Sequence, residues 1–346
     1  MGHRYIWKNQ ITFRSMDEKV KHYVVSIIIP TYNVEAYIRE CLESVAAQTY
    51  RGEIECIIVD DCGTDKSIEE AERFIAEYRG NVDFRILHRK VNGGLSAARN
   101  SGTDSAKGDY IYYLDSDDKI TTTCIEEFVS VARKYPQTDV IQGGISDMNK
   151  SVISDVKNID LPDFICDVRT IKDKYMLNYG LPIAAYSRLY NKSFLNDNHL
   201  RFHEGIIHED VPFTFLLAQR AKCIAICRHN SYLYRIMRQG SIVNSSSKEY
   251  AFNSRMTAMN DCIDSINATE KDIQVRGIIT KILCYLAVTE PVFLQRDSFS
   301  TICSKVAMLV SFPLSLVLNT YFLLPINIQR AKIFRYIISI IFNIKL

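Results

Sequence analysis

The chain has 346 residues, of which 47% are hydrophobic and 24% charged, and its formal net charge is +2. This length suits one large domain or two modest ones, and the composition excludes disorder as the main state. A charge so close to neutrality gives no reason to expect nucleic acid as the main partner.

The ten cysteines are scattered along the chain, and no two of them form a C-x-x-C pair. Cys56, Cys223 and Cys227 lie in apolar runs, where a free thiol packs as a small hydrophobe. Residues 1–20 contain no apolar core of signal-peptide length. Together these observations predict a protein of the reducing cytoplasm.

Strand-like and helix-like segments alternate through the first half of the chain. The apolar run at residues 24–29 reads as a buried strand that Pro30 stops. Strands are predicted over 24–29, 54–59, 84–87 and 109–114, and helices over 34–47, 67–78 and 94–106. Alternation with such short loops predicts a parallel α/β sheet, followed by a mixed region to about residue 228 and a mainly helical one over 248–290.

Polar residues follow the predicted strands at the points where these end. They are Thr31-Tyr32-Asn33, Asp60-Asp61 and Asp115-Ser116-Asp117-Asp118. Because ligands bind at the carboxyl ends of parallel strands, we expect these residues to share one edge of the sheet.

Asp115 and Asp117 come directly after an apolar strand. Two carboxylates at this spacing can hold Mg²⁺ or Mn²⁺ together with a substrate diphosphate. Taken alone, the sequence Asp-Ser-Asp-Asp is more often an exposed acidic turn, because Asp and Ser are ordinary turn formers.

Three further motifs accompany the acidic turn in order. They are the run 25–33 (VSIIIPTYN), the run 58–65 (IVDDCGTD) and the run 92–100 (NGGLSAARN). The series resembles the nucleotide-binding half of the family 2 glycosyltransferases, which have the GT-A fold, over residues 24–125. Cys62-Gly63 departs from the Gly-Ser that usually follows the paired aspartates.

The resemblance implies roles for individual residues. Pro30, Thr31 and Tyr32 would line the pocket for base and ribose, and Asp60 or Asp61 would meet the uracil edge, Asp60 being preferred. Asn92, Arg99 and Ser116 would contact the nucleotide. Asp115 would reach the ribose and the metal, and Asp117 would be the principal metal ligand. For Asn92-Gly93-Gly94 and for Arg99, a plain turn and a surface helix position remain the alternatives.

Glu209-Asp210 precedes an apolar helix-like run. In the resembling family this pair supplies the catalytic base, which would be Asp210; the alternative is that the acidic residues only meet the helix dipole. Arg235 and Arg238 lie in a segment similar to the one that closes over the donor diphosphate, and arginine can bind phosphate oxygens bidentately. The alternative is a strand with an exposed basic face.

These roles imply a non-processive, inverting transfer of sugar from a nucleotide-sugar, expected to be a UDP-sugar, to an acceptor hydroxyl. The cofactor would be Mn²⁺ or Mg²⁺, and the acceptor a lipid-linked saccharide for a bacterial surface polysaccharide. Three alternatives were weighed. A pyrophosphorylase would need a Gly-rich basic loop after the first strand, and a processive synthase would need a Q-x-x-R-W motif, but the only tryptophan is Trp7. A non-catalytic binding protein would not need the acidic turn and the Glu-Asp pair.

The predicted organisation has five parts. An extension (1–23) precedes a GT-A catalytic domain (24–228), which is divided into a nucleotide-binding half (24–125) and an acceptor half (126–228). A phosphate-clamp and helical region (229–297) and a basic apolar tail (298–346) follow. The tail has no acidic residue and an uncharged stretch at 306–329. This pattern favours peripheral contact with the inner face of the cell membrane over a hairpin packed on the domain.

Overall fold

The structure is a computed structural model that describes residues 24–149, 151–157, 159–176, 181–236, 246–266, 275, 278–279 and 297–309. Arg238, the extension 1–23 and residues 310–346 of the tail lie outside the described residues. The predictions made for them are therefore not addressed by the fold.

The nucleotide-binding half is the parallel α/β unit that the sequence predicts. Its elements are β1 (Val25–Thr31), α1 (Ile38–Ala46), β2 (Ile54–Asp60), α2 (Ser67–Glu77), β3 (Val82–His88), α3 (Gly94–Ser105) and β4 (Tyr110–Tyr113). The strands lie in the order β3-β2-β1-β4 and all these pairs are parallel. The carboxyl ends of β1, β2 and β4 therefore meet at one edge of the sheet.

Pro30 does not end the first strand, contrary to the prediction. β1 continues to Thr31 and pairs with β2 as far as Thr31↔Asp60. Its pairing with β4 stops earlier, at Ile28↔Tyr113. The backbone polar groups of residues 28 and 30 point to the side of β4. Because β4 has ended before it reaches residue 30, the missing N–H of proline costs no ladder hydrogen bond.

The acceptor half extends the same sheet with short strands and carries its own helices. These elements are α4 (Cys124–Lys134), β6 (Val140–Gln142), β9 (Phe164–Ile165), α5 (Val168–Met176), β10 (Arg188–Asn191), α6 (Lys192–Asp197), α7 (Asp210–Arg220) and β11 (Ile224–Ile226). β10 is antiparallel to both β4 and β6, and the eight-stranded order is β3-β2-β1-β4-β10-β6-β11-β9. Pairing across β4 and β10 thus joins the two halves in one continuous sheet.

A second, four-stranded sheet lies beside the acidic turn. It consists of β5 (Lys119–Ile120), β7 (Ile145–Asp147), β8 (Val152–Ser154) and β12 (Tyr232–Tyr234), in the order β5-β12-β7-β8. β12 pairs with β5, which directly follows the acidic turn. The predicted clamp segment is therefore held against that turn by backbone pairing.

Two helices of the later chain pack on the acceptor half. Buried residues of α8 (Lys248–Asp264) and α9 (Asp297–Leu309) belong to the same hydrophobic cluster as Phe213 and Leu217 of α7. The start of the predicted tail is thus part of the core. Among the described residues, no helix is long and apolar enough to cross a membrane.

Cys166 and Cys223 form a disulfide, so the prediction that Cys223 is a free thiol is wrong, and the bond is of a kind that is rare in the reducing cytoplasm predicted from the cysteines. They flank the antiparallel pair Ile165↔Ile224 of β9 and β11, and their Cα atoms are 4.2 Å apart. The two cysteines are separated by 57 positions in the sequence and come together only when β9 pairs at the edge of the sheet. Their spacing therefore does not indicate the bond. Cys62 is half-buried, and the other described free cysteines are buried.

Candidate functional site

The loop after β1 presents one exposed aromatic ring. Tyr32 is 46% exposed, and Asn33 adopts a left-handed backbone with φ 51°. The Asn33 Oδ1 atom accepts a hydrogen bond from the Thr64 backbone N at 2.7 Å, which ties this loop to the one after β2. Thr31 is buried and its hydroxyl donates to the Ile29 carbonyl at 3.1 Å. The Thr31 hydroxyl therefore does not face a ligand, although Thr31 was predicted to line the pocket.

The two paired aspartates occupy different environments. Asp61 is buried, and its carboxylate accepts from the backbone N atoms of Gly93 at 3.0 Å and Gly94 at 2.8 Å, and from Arg89. Asn92 Nδ2 donates to the Asp61 carbonyl at 2.8 Å. Asp61 and Asn92 therefore hold the start of α3, where Gly94 has φ +81°, a conformation that suits glycine.

Asp60 ends β2 with part of its carboxylate exposed. It contacts His88 Nδ1 at 2.9 Å and accepts from the Cys62 backbone N at 3.0 Å. Asp61 is fully engaged inside the loop, whereas the carboxylate of Asp60 is partly accessible; its contact with a base stays a prediction.

The acidic turn is anchored by its last residue. Asp118 is buried and accepts from the Tyr232 hydroxyl at 2.6 Å and the Arg235 backbone N at 2.7 Å. Burial, reinforced by Asp115 and Asp117, raises its pKa well above the ordinary value. Asp118 therefore stabilises the turn, which leaves Asp115 and Asp117, both half-buried, as its ligand-facing carboxylates.

Arg99 is the centre of the site. The side chain is 1% exposed, and its guanidinium donates to Asp115 Oδ1 at 2.8 Å, Glu209 Oε1 at 2.6 Å and Asp210 Oδ1 at 3.4 Å. Burial opposes its charge, but Asp115, Asp210 and Glu209 together raise its pKa. Arg99 thus joins the acidic turn to the Glu-Asp pair. A direct contact with a nucleotide, which was its predicted role, does not explain these three bonds within the protein.

Asp210 is the first residue of α7, as predicted, and 25% of its side chain is exposed. Burial and the neighbouring Glu209 raise its pKa to about 7, against the opposing effect of Arg99. A carboxyl with a pKa near neutrality can take up a proton and release it at physiological pH, as a general base must. A carboxylate that only met the helix dipole would instead have a lowered pKa.

Arg235 lies across the acidic turn. Its Nε donates to the Asp117 carbonyl at 2.8 Å, its guanidinium pairs with Glu40 at 3.1 Å, and it lies 4.9 Å from the centre of the Tyr37 ring. Arg235 therefore lies at the edge of the site, and its binding to a donor diphosphate stays a prediction.

The carboxylates around Arg99 carry enough negative charge to bind a divalent metal ion as well. When Asp210 is ionised, three carboxylates surround one guanidinium, which leaves an excess of two negative charges before Asp117 is counted. Within the described ranges, no three His, Cys, Asp or Glu side chains are arranged to hold a metal ion by themselves. Mg²⁺ is usually held by one or two carboxylates plus phosphate oxygens, so Asp115 and Asp117 could supply the protein's share.

Tyr186 and Arg188 also belong to the site, although the sequence analysis did not identify them. The Tyr186 ring stacks on Tyr232 with a centroid distance of 4.4 Å, and burial together with Asp115 and Asp210 raises its pKa. Arg188 lies beneath α7. Arg188 and Tyr190 share one face of β10 and are both buried, and two large polar side chains on a buried strand were the available signal.

A continuous series of bonds links the distant motifs. Asp61 holds the start of α3, Arg99 on α3 binds Asp115, and the same guanidinium reaches Glu209 and Asp210. The strand ends and the Glu-Asp pair therefore meet at the carboxyl edge of an α/β sheet, which is where folds of this class bind their ligands.

Comparison with known proteins agrees with this class. The family model described as "Glycosyl transferase family 2" matches residues 26–194. The chain is 30% identical over 229 residues to glycosyltransferase GlyG of Streptococcus pneumoniae, covering 64% of this chain and 73% of GlyG. It is 29% identical over 325 residues to a poly(ribitol-phosphate) beta-glucosyltransferase of Bacillus spizizenii, covering 92% of this chain and 44% of that enzyme.

A solved structure shares the fold. Residues 1–349 of Staphylococcus aureus TarS, in complex with UDP-GlcNAc, superpose with a TM-score of 0.65 at 19% identity, covering 93% of this chain and 92% of that one. The chain belongs to glycosyl transferase family 2. It spans between 31% and 61% of the length of several curated relatives that it matches.

Proposed function

We propose that this chain transfers a sugar from a UDP-sugar to an acceptor hydroxyl with inversion at the anomeric carbon. The observation that carries the proposal is the single guanidinium of Arg99 bound to Asp115, Glu209 and Asp210. It brings a candidate donor-binding turn and a candidate base into contact with the same buried group.

The donor side would use the edge formed by β1, β2 and β4. Tyr32 and Asp60 would contact the uridine, with Pro30, Asn92 and Ser116 behind them. UDP-GlcNAc bound to the structurally similar TarS supports a uridine nucleotide. Asp115 and Asp117 would hold Mn²⁺ or Mg²⁺, which supplies positive charge to the departing diphosphate. Arg235 lies near enough to the turn to add to that charge, and we propose the same role for Arg238.

Asp210 would act as the base. Its raised pKa lets it accept the proton of the acceptor hydroxyl as that oxygen attacks the anomeric carbon. Attack from the face opposite the departing diphosphate inverts the configuration in one displacement. Arg99 stabilises the ionised carboxylate in the resting site and keeps it fixed relative to Asp115.

The acceptor is proposed to be a growing bacterial surface polymer. Relatives named for poly(ribitol-phosphate) support a polymeric acceptor, and a lipid-linked saccharide is the form that the basic tail favours. A cytoplasmic enzyme in peripheral contact with the inner face of the membrane would meet such an acceptor.

The decisive experiment compares Asp210→Asn with the wild type. We expect the variant to bind UDP normally by calorimetry but to lose transfer by at least about 100-fold, because a positioned general base contributes that much. Activity is measured as UDP release from a panel of UDP-sugars with acceptor and Mn²⁺, and EDTA should abolish it.

Asp261→Asn is the matched control. Asp261 is a partly buried carboxylate that pairs with His203, so its loss should leave transfer unchanged. Near-normal turnover by Asp210→Asn would refute the role of Asp210. Absence of both UDP binding and UDP-sugar turnover in the wild type would refute the function itself.

A further inference from the structure

Arg188, the first residue of β10, is a buried cation whose contacts are all neutral. It is 0% exposed, and its Nε donates to Gln142 Oε1 at 2.6 Å. Its terminal nitrogens donate to Thr214 Oγ1 at 3.0 Å and to the Pro182 carbonyl. The guanidinium also lies 4.9 Å from the centre of the Tyr175 ring.

No carboxylate within the described part of the chain forms an ion pair with Arg188. This contrasts with Arg99, which has three such partners. Burying an unpaired charge is costly even when its N–H groups are hydrogen-bonded. A neutral side chain could make bonds of the same kind at lower cost, so hydrogen bonding alone gives no reason for a positive charge at this position.

The charge lies beneath the base. Thr214, which binds the guanidinium, is one helical turn after Asp210 in α7. Arg188 opposes the rise in the pKa of Asp210, which burial and Glu209 cause. The other charged groups that act on Asp210 are Arg99 from α3 and Asp115 from the turn after β4. The hydroxyls of Tyr186 and of Tyr190 on β10 also interact with it. Arg188 is the one cation among these groups that reaches it from the sheet.

We propose that Arg188 is a positioning residue for the base: it holds the first turn of α7 through Thr214 and favours the ionised form of Asp210 from below. The proposal rests on the proposed function, because it presupposes that Asp210 must be ionised to act. A fixed buried cation is suited to this role, since it neither leaves with the product nor exchanges with solvent.

A double-mutant cycle in thermal stability tests the coupling without any assay of activity. Melting temperatures of the wild type, Arg188→Gln, Asp210→Asn and the double variant are measured with EDTA at pH 8 and pH 5. At pH 8 we expect Arg188→Gln to lower the melting temperature more when Asp210 is present than when Asn replaces it. At pH 5 Asp210 is protonated, so this difference should disappear. Equal losses in both backgrounds at pH 8 would overturn the proposal.

The pH profile of kcat/KM provides the second readout. Arg188→Gln should move the acidic limb upward by roughly one pH unit, the size expected for loss of one charge nearby. Arg188→Lys keeps the charge and should leave the limb in place. If Arg188→Gln does not fold, Arg188→Lys still tests the idea, because a shifted limb with the charge retained would contradict it.

Arg228→Met is the matched structural control. Arg228 binds Asp163 and the backbone carbonyls of Val156, Ile159 and Leu161 in the same half, so its loss should lower stability without moving the limb. A limb that moves equally in Arg228→Met would refute the specific role of Arg188. Coupling in the cycle without turnover of any UDP-sugar would refute the proposed function while leaving the electrostatic coupling between Arg188 and Asp210 intact.

Discussion

Asp115, Glu209 and Asp210 share the guanidinium of Arg99, but at different distances. Asp115 and Glu209 lie at 2.8 Å and 2.6 Å from it, whereas Asp210 lies at 3.4 Å. This longer contact offsets only part of the effect of burial, which together with Glu209 raises the pKa of Asp210 to about 7. The position of one arginine thus leaves Asp210 able to exchange a proton at neutral pH.

The raised pKa of Asp210 predicts how stability depends on pH. The ordinary pKa is 3.8 and the folded value about 7, so the folded state binds more protons between these values and its stability falls as pH rises through this window. Asp210→Asn removes the effect. The variant should therefore gain stability over the wild type from pH 4 to 7 and keep a constant advantage above 7.

Because the side chain is partly exposed and Asn loses a bond to Arg99, we expect an advantage of roughly 2 kcal/mol rather than the full shift. Urea unfolding at pH 4, 5.5, 7 and 8 in EDTA measures it. An advantage that is the same at all four pH values would contradict the raised pKa.

At the scale of residues, the sequence was a good guide to which residues lie near one another and a poor guide to what each side chain contacts. Asp61, Arg99 and Thr31 lie where the motifs imply, yet their side chains are occupied by partners inside the protein. A motif carries the position of a residue along the chain, whereas the direction of its side chain depends on neighbours distant in sequence. The partners of Arg188 could not be predicted for the same reason, since Gln142, Pro182 and Thr214 come from three different segments.

At the scale of elements, the long segments were predictable and the short strands were not. β1, β2 and α1 to α3 follow from runs of seven or more residues with clear apolar patterns. The strands β5, β9 and β12 have only two or three residues, and they exist because distant partners pair with them. No local pattern encodes that pairing.

The disulfide between β9 and β11 is the element whose loss can be measured most directly. Cys166–Cys223 closes a loop with a sequence separation of 57, which contains α5, β10, α6 and α7. Cross-linking a loop of this size restricts the unfolded chain by up to about 4 kcal/mol. Dithiothreitol should therefore shift urea unfolding to lower denaturant concentrations.

The variant with both cysteines replaced by serine should unfold at the reduced position and ignore dithiothreitol. Cys303→Ser, which removes a buried free thiol, should keep the response to the reductant. Superimposable curves for the oxidised and reduced wild type would contradict a stabilising bond.

For the whole molecule, the helices after the catalytic sheet are part of one folded body. Phe299, Ile302 and Val306 of α9 are buried in the cluster that also contains α7 and α8. The boundary predicted at residue 298 therefore falls inside a packed helix. The apolar composition of the predicted tail has one origin in the core as far as Val306, and the predicted membrane contact of residues 310–346 would be a second.

Two truncations separate these origins. Ending the chain after residue 309 removes four basic residues and no acidic one, so we expect the melting temperature to stay the same while sedimentation with phosphatidylglycerol vesicles falls. Ending it after residue 296 should also lower the melting temperature, since the buried face of α9 is lost. Phosphatidylcholine vesicles serve as the control, and undiminished sedimentation of the chain ending at 309 would contradict the proposed membrane contact.

The two kinds of aspartate in the acidic turn also bear on how this protein could be altered. Asp117 is half-buried on the side of the proposed cation, whereas Asp118 lies inside and binds Tyr232 and the backbone of Arg235. A library randomised at both codons and screened only for soluble expression would retain many amino acids at 117 and very few at 118. Position 117 is thus constrained by the proposed binding of the cation, whereas the adjacent position 118 is constrained by the fold.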